Sequence, residues 1–239
     1  MATLIRKTKR VRIGPVTLYR GDSSLLLPEL GPFDAVVTDP PYSSGGMARS
    51  DRVASTSTKY VSSDAAKQYP DFLGDNRDQR SFVMWASVWL GHCLDITKPG
   101  GIACVFSDWR QIPAMSDALQ VGGWVWRGVV PWDKLNARPQ PNRFRAQCEY
   151  VLWATNGPRD TSTEGAEYHP GLLSAAPPAT SCRVHAAQKP VSILRTLCKV
   201  AGSGGVVVDP FCGSGQTGIA AAAESQEAVL IEKCRESSR

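Results

Sequence analysis

A chain of 239 residues, 42% apolar and 21% charged, is long enough for one sizeable core and ordinary for a globular protein. No run approaches the roughly 18 apolar residues that a membrane span needs, and no apolar stretch follows the basic start MATLIRKTKR, so neither a membrane protein nor a secretory leader is expected. The formal charge is +5, yet Arg6, Lys7, Lys9, Arg10, Arg12 and Arg20, and again Lys134, Arg138, Arg143 and Arg145, fall in two acid-free stretches (1–20 and 134–145), which leaves the rest of the chain net acidic. Such patches suit a polyanionic partner, or else a solvated tail and loop.

In chain order, VTLYR (16–20) and FDAVVT (33–38) read as strands, rich in β-branched and aromatic residues. From 43 to 79 the apolar period disappears among seven serines, five basic and five acidic residues. That stretch is too long for an ordinary connection and is expected to be a functional, mobile loop. Residues 80–97 read as a helix with Phe82, Trp85, Trp89, Cys93 and Ile96 on one face, stopped by Pro99-Gly100-Gly101. IACVFS (102–107) reads as a buried strand, 109–119 as a helix, and 124–132 and 148–155 as two strands with no helix between them, hence an antiparallel edge ribbon. Residues 156–187, rich in Gly, Pro, Ala, Ser and Thr, read as loop. A helix opens at Pro190, then come the strand GVVVDP, a helix over 214–224 and a strand over 227–232. Apolar strands alternating with helices predict an α/β fold, a mostly parallel sheet with helices on both faces. The expected organisation is one catalytic domain over 1–239.

Seven cysteines form no CxxC pair and three histidines are scattered, so buried free thiols and no metal site are expected. Cys212 reads as a small buried loop residue, and Trp85, Trp89, Trp124, Trp126 and Trp153 read as core.

Two constellations carry chemistry. In VVVDPFCGSGQTG a buried strand runs into a glycine turn and an alanine-rich helix, and Gly213 and Gly215 let a ligand approach the main chain. Glu232, at the tip of the next strand, offers a carboxylate to the hydroxyls of a ribose. This pattern alone does not separate a dinucleotide from another adenosine cofactor, and a purely structural turn is also open. The second constellation, Asp39-Pro40-Pro41-Tyr42, follows a buried strand and so lies at its carboxyl end, where open α/β sheets bind ligands. Two prolines stiffen the turn and remove two donors, leaving acceptors beside an aromatic ring, an environment for a flat base bearing an amine. The bland alternative is a rigid turn without a ligand.

Together these segments resemble the S-adenosylmethionine-dependent amino-methyltransferases of DNA. The likeness runs through GDSSLLLPELGPFDAVVTDPPY, Lys98-Pro99-Gly100-Gly101, VVPWDK, RFRAQCEYVLWAT and HAAQKPVSILRTL to VVVDPFCGSG, with the catalytic motif first and the cofactor loop last, as in the family's β group. Aspartate at the head of the turn is usual in adenine-specific members, whereas many cytosine-N4 members have serine.

The resemblance implies a Rossmann-like methyltransferase fold. It also implies methyl transfer from S-adenosylmethionine to adenine N6 of a base flipped out of double-stranded DNA. Asp39 and the Pro40 carbonyl would accept the amine hydrogens while Pro41 shapes the turn and Tyr42 stacks on the base. Asp22 would meet the cofactor's adenine amine, Asp209, Phe211 and Gly213 would line its methionine end, and Asp39, Ser214 and Gly215 would also bind the cofactor. Lys189 would lie near its carboxylate and Glu232 at its ribose. Asp22 also reads as a turn residue and Lys189 as a solvated first-turn lysine. Lys134, Arg138, Arg143 and Arg145 would contact phosphates. The short segment 156–187, as target-recognition region, implies a short or degenerate site or a homodimer. No C-terminal accessory domain is expected, and the setting would be cytoplasmic, at the DNA of a bacterial or phage-infected cell, with or without a partner nuclease. Cytosine-N4 methylation, RNA methylation, a dinucleotide-dependent oxidoreductase and a non-catalytic nucleic-acid-binding module are the alternatives.

Overall fold

The structure, a computed structural model, describes residues 4–42, 77–137, 139, 141–159, 162, 167–179 and 188–233. The expected mobile stretch therefore lies outside the described residues between 43 and 76, as do Arg138 and parts of 156–187.

Among the described residues nine strands form one sheet in the order β1-β2-β9-β8-β3-β4-β6-β5-β7. They are β1 (Arg10–Ile13), β2 (Val16–Arg20), β3 (Phe33–Thr38), β4 (Thr97–Ser107), β5 (Val125–Asp133), β6 (Cys148–Thr155), β7 (Leu173–Ser174), β8 (Val206–Asp209) and β9 (Glu227–Glu232). The run from β2 through β9, β8 and β3 to β4 is parallel. β6 pairs antiparallel with β4 and with β5, which makes the expected edge ribbon. Parallel strands need both faces covered, and side-chain alternation supplies both. Val36, Ala103 and Val105 enter one core with the helices α3 (Gln79–Asp95) and α4 (Ile112–Val121). Val37, Ile102, Cys104 and Phe106 enter the other with α5 (Val191–Cys198) and α6 (Gln216–Ala223). Two short helices, α1 (Leu4–Lys7) and α2 (Ser23–Leu26), flank β1 and β2.

Several expectations are corrected. The basic start is not all tail: Arg10–Ile13 pairs with β2 as an edge strand whose residues are all exposed, so burial gives it no apolar signature. The helix predicted over 80–97 ends at Asp95, and Pro99-Gly100-Gly101 belongs to β4, which shifts register against β3 there. The helix expected from 109 begins at Ile112, because the Asp108 carboxylate accepts the Arg110 and Gln111 amides at 2.9 and 3.1 Å and holds a turn ahead of it. The helix expected from 214 begins at Gln216, after Gly215 in the left-handed region. Segment 156–187 is not all loop: Leu173 is buried in β7 beside β5, and the Trp132 indole donates to the Ala175 carbonyl at 2.9 Å. Trp126 is exposed rather than core, while Trp89 and Trp124 are buried.

Candidate active site

β2, β9, β8 and β3 are parallel neighbours, so Asp22, Glu232, the glycine turn and the Asp39 turn emerge side by side along one edge of the sheet. The chain runs outward from β8 to β9 on one side and from β3 to β4 on the other. The turns after β8 and β3 therefore meet at the crevice where doubly wound sheets hold ligands.

The glycine turn is built around a buried acid. Asp209, 2% exposed, accepts from the Thr38 hydroxyl at 2.7 Å, the Thr217 hydroxyl at 2.6 Å and the Phe211 amide at 3.0 Å. Burial pushes its carboxyl up to about 6 against the pull of those donors. Asp209 thus ties the ends of β3 and β8 to the first turn of α6. Phe211 packs into an aromatic cluster, its ring 5.0 Å from Trp89 and 5.7 Å from Trp85. Gly213 and Gly215 have φ of 50° and 76°, which a side chain resists, and nothing lies within 4 Å of where a Cβ on Gly213 would stand. The Gly213 amide donates to Glu232 Oε2 at 2.8 Å. Ser214, between the two glycines, is half-buried. Asp22 caps α2 by accepting the Ser24 amide at 3.0 Å, and its other oxygen takes the Lys233 ammonium at 2.7 Å. Partial burial raises its carboxyl, but Lys233 and the amide bond outweigh this and hold it below the ordinary value. A carboxylate-and-glycine crevice at the carboxyl ends of parallel strands is of the kind that could hold an adenosine-bearing cofactor.

The Asp39 turn is held by charge. Tyr42 donates its hydroxyl to Asp39 Oδ1, and the Lys189 ammonium lies 2.5 Å from Oδ2. Lys189, 6% exposed, also reaches Glu149 Oε2 at 3.4 Å, and Glu149 Oε1 is 3.5 Å from Lys134. The rings of Tyr42 and Phe106 each lie 5.3 Å from the ammonium. Burial pulls the Lys189 ammonium down, but two carboxylates outweigh it and hold it above the usual lysine value. Burial pushes Asp39 up against the opposing pull of Lys189 and Tyr42. The Asp39 side chain is 26% exposed.

Sequence reasoning brought Asp39, Pro40, Pro41, Tyr42, Asp22, Asp209, Phe211, Gly213, Ser214, Gly215 and Glu232 to this edge. Lys189 is a buried cation on Asp39 and not a solvated first-turn residue. Lys134 faces Glu149, whereas Arg143 and Arg145 are exposed on the connection between β5 and β6. Glu149, Thr38 and Thr217 were missed. An acid inside the apolar strand CEYVLWAT was the available signal for Glu149; the threonines gave none. Cys93, Cys104, Cys198 and Cys212 are buried, and burial raises the thiols of Cys93, Cys198 and Cys104, the last to about 12, so those three are poor nucleophiles. Among the described residues no group of three or more His, Cys, Asp or Glu side chains could hold a metal ion, and no helix is long and apolar enough to cross a membrane.

A family model described as DNA methylase matches residues 33–239. The type II methyltransferase M.SmaI of Serratia marcescens is 31% identical over 147 residues, 52% of this chain; the match spans only about half, 46%, of that protein's length. The solved M1.HpyAVI–SAM complex superposes with a TM-score of 0.65 at 20% identity, covering 92% of this chain and 94% of that one. The PvuII cytosine-N4-specific DNA methyltransferase superposes with a TM-score of 0.63 at 20% identity, covering 92% and 82%.

Proposed function

The chain belongs to the DNA methylase family, the S-adenosylmethionine-dependent methyltransferases of DNA amino groups, and from that premise we propose that it methylates adenine N6 in double-stranded DNA. The aspartate-headed turn, with a partly exposed Asp39 braced by Lys189 and Tyr42, is the observation that carries the reading. The adenine amine is a weak nucleophile because its lone pair is delocalised into the ring. In this proposal Asp39 and the Pro40 carbonyl accept its two hydrogens and localise that lone pair on nitrogen. Each carboxylate oxygen can accept more than one bond, so Asp39 can keep its Tyr42 and Lys189 bonds as it does so. The Lys189 ammonium favours the ionised form, which accepts rather than donates. Pro41 stiffens the turn and the Tyr42 ring stacks on the base, offsetting part of the few kcal/mol of unstacking. Asp22, Glu232, Phe211 and the Gly213-Ser214-Gly215 turn would hold S-adenosylmethionine, which would supply an electrophilic methyl group. As the nitrogen–carbon bond forms, the sulfonium carbon–sulfur bond would break to leave a neutral thioether, and the surplus amine proton would leave through the acceptors to solvent. The chain's own contribution is positioning and electrostatics.

Residues 1–239 are read as one catalytic domain, with Arg143 and Arg145 on phosphates. A homodimer would supply contacts that the short segment 156–187 lacks, and sedimentation velocity tests it. The second reading is cytosine-N4 methylation, favoured by the likeness to the PvuII enzyme. Incubating unmethylated genomic DNA with the protein and labelled S-adenosylmethionine, then separating the nucleosides, decides between them. The label is expected in N6-methyldeoxyadenosine; label in N4-methyldeoxycytidine would overturn the adenine assignment.

A further inference from the structure

The connection between β5 and β6 carries an apolar side chain that the site above does not use. Phe144 is fully exposed, at 102% of its reference surface, and its neighbours Arg143 and Arg145 are exposed too. Asn142, just before them, has φ of 57°, the tight left-handed turn that asparagine tolerates better than most residues. Leu135, at the other end, is 60% exposed with φ of 62°, a strained conformation for leucine. The Leu135 amide donates to Asp133 Oδ1 at 2.8 Å and the Lys134 amide donates to the Gln147 carbonyl at 2.9 Å, so the foot of the connection is tied down. That foot adjoins the Asp39 turn: Lys134 meets Glu149, Glu149 meets Lys189, and Lys189 meets Asp39. β5 runs in the same direction as β3 and β4, so the connection leaves the sheet at the edge where Asp39 stands.

We propose that Phe144 is a DNA wedge, entering the stack where the target base leaves it for the Asp39 turn, with Arg143 and Arg145 on the flanking phosphates. The inference rests on the base-flipping methylation proposed above. An aromatic ring left wholly in water is costly, and a ring between two cations suits a stacked polyanion. Apolar side chains driven between base steps recover stacking that an extruded base gives up. A second copy of this chain is the rival occupant. A two-fold contact centred on Phe144 would set the arginines of each copy against those of the other, which disfavours it.

The test uses a duplex carrying a site that the wild-type protein methylates in plasmid DNA. It is compared with the same duplex bearing an abasic position opposite the target base, where extrusion costs least. Phe144→Ala is expected to lose about ten- to a hundredfold in kcat/KM on the paired duplex. Most of that loss should disappear on the abasic one, and Phe144→Trp should retain activity on both. Arg143→Ala/Arg145→Ala should lose activity on both and flatten the salt dependence. No loss with Phe144→Ala, an equal loss on the two duplexes, or a loss traced by sedimentation to a broken dimer would overturn the wedge. A wild-type protein that leaves plasmid DNA unmethylated, so that no such site exists, would overturn the methylation reading instead, and the wedge with it.

Discussion

Replacing Lys189 by methionine removes the cation on which the Asp39 turn depends and keeps most of the volume. The ammonium lies 2.5 Å from Asp39 and 3.4 Å from Glu149. Two unit charges about 4 Å apart interact by about 4 kcal/mol at an effective dielectric constant near 20. Most of this is not realised as lost stability, because a carboxyl left without its cation takes up a proton. Opposite charges at such distances commonly shift a carboxyl by about 1–3 pKa units, and burial already pushes Asp39 upward. In Lys189→Met the Asp39 carboxyl therefore titrates higher than in the wild type, since burial still pushes it up and the cation that opposed this is gone. The working form is the ionised one, so the acid limb of the kcat–pH profile moves to higher pH by the same amount. Lys189 itself, held above its ordinary value, stays charged throughout the range of the assay, so the wild-type limb is not its titration. Stability follows with a definite sign. A folded-state pKa above the unfolded value makes ionisation unfavourable in the native state, so the variant's deficit grows as pH rises and is larger at pH ~8 than at pH ~5. Tritium transfer to DNA at saturating cofactor, from pH ~5 to ~9, reads the limb. A Lys189→Met protein whose acid limb coincides with that of the wild type would refute the reasoning.

Three further perturbations separate the parts of the site. Glu232→Gln removes a charged acceptor bonded to Gly213; a charge-assisted bond is worth about 1.5–3 kcal/mol, so cofactor Kd by calorimetry should rise about ten- to a hundredfold while DNA affinity holds. Asp209→Asn deletes a carboxyl that burial pushes up to about 6; wild-type stability relative to this variant should fall by about 2 kcal/mol between pH ~4 and ~6, as chemical denaturation at the two pH values would show, and a constant difference would contradict the shifted acid. Gly205→Ala would place a Cβ 2.2 Å from the Ala201 carbonyl oxygen, a backbone atom that cannot step aside; urea unfolding should register a loss toward the upper end of about 1–3 kcal/mol, and wild-type stability would show that the β8 entry is looser than it looks.

The parallel core was legible because buried strands such as FDAVVT and GVVVDP are apolar on both faces and end in Asp-Pro turns. The two turns could be read as site elements because a doubly wound sheet exposes its carboxyl ends together. What the sequence hid was long-range. Nothing near Lys189 in the chain announces Asp39, 150 residues away, as its partner. Thr38 and Thr217 look like ordinary strand and helix residues until Asp209 gathers them. Edge strands such as Arg10–Ile13 were invisible for a different reason, since a fully exposed strand carries no burial period. Trp126 misled in the opposite sense, because an edge ribbon turns part of an apolar strand outward.

One paired measurement tests the role of Asp39 most directly: methyl transfer to DNA by the wild-type protein and by Asp39→Ala, with DNA affinity measured on both. Loss of an acceptor for the amine should abolish transfer, while affinity, dominated by phosphate contacts, should largely persist. An Asp39→Ala protein that methylates DNA at near wild-type turnover would contradict the central claim.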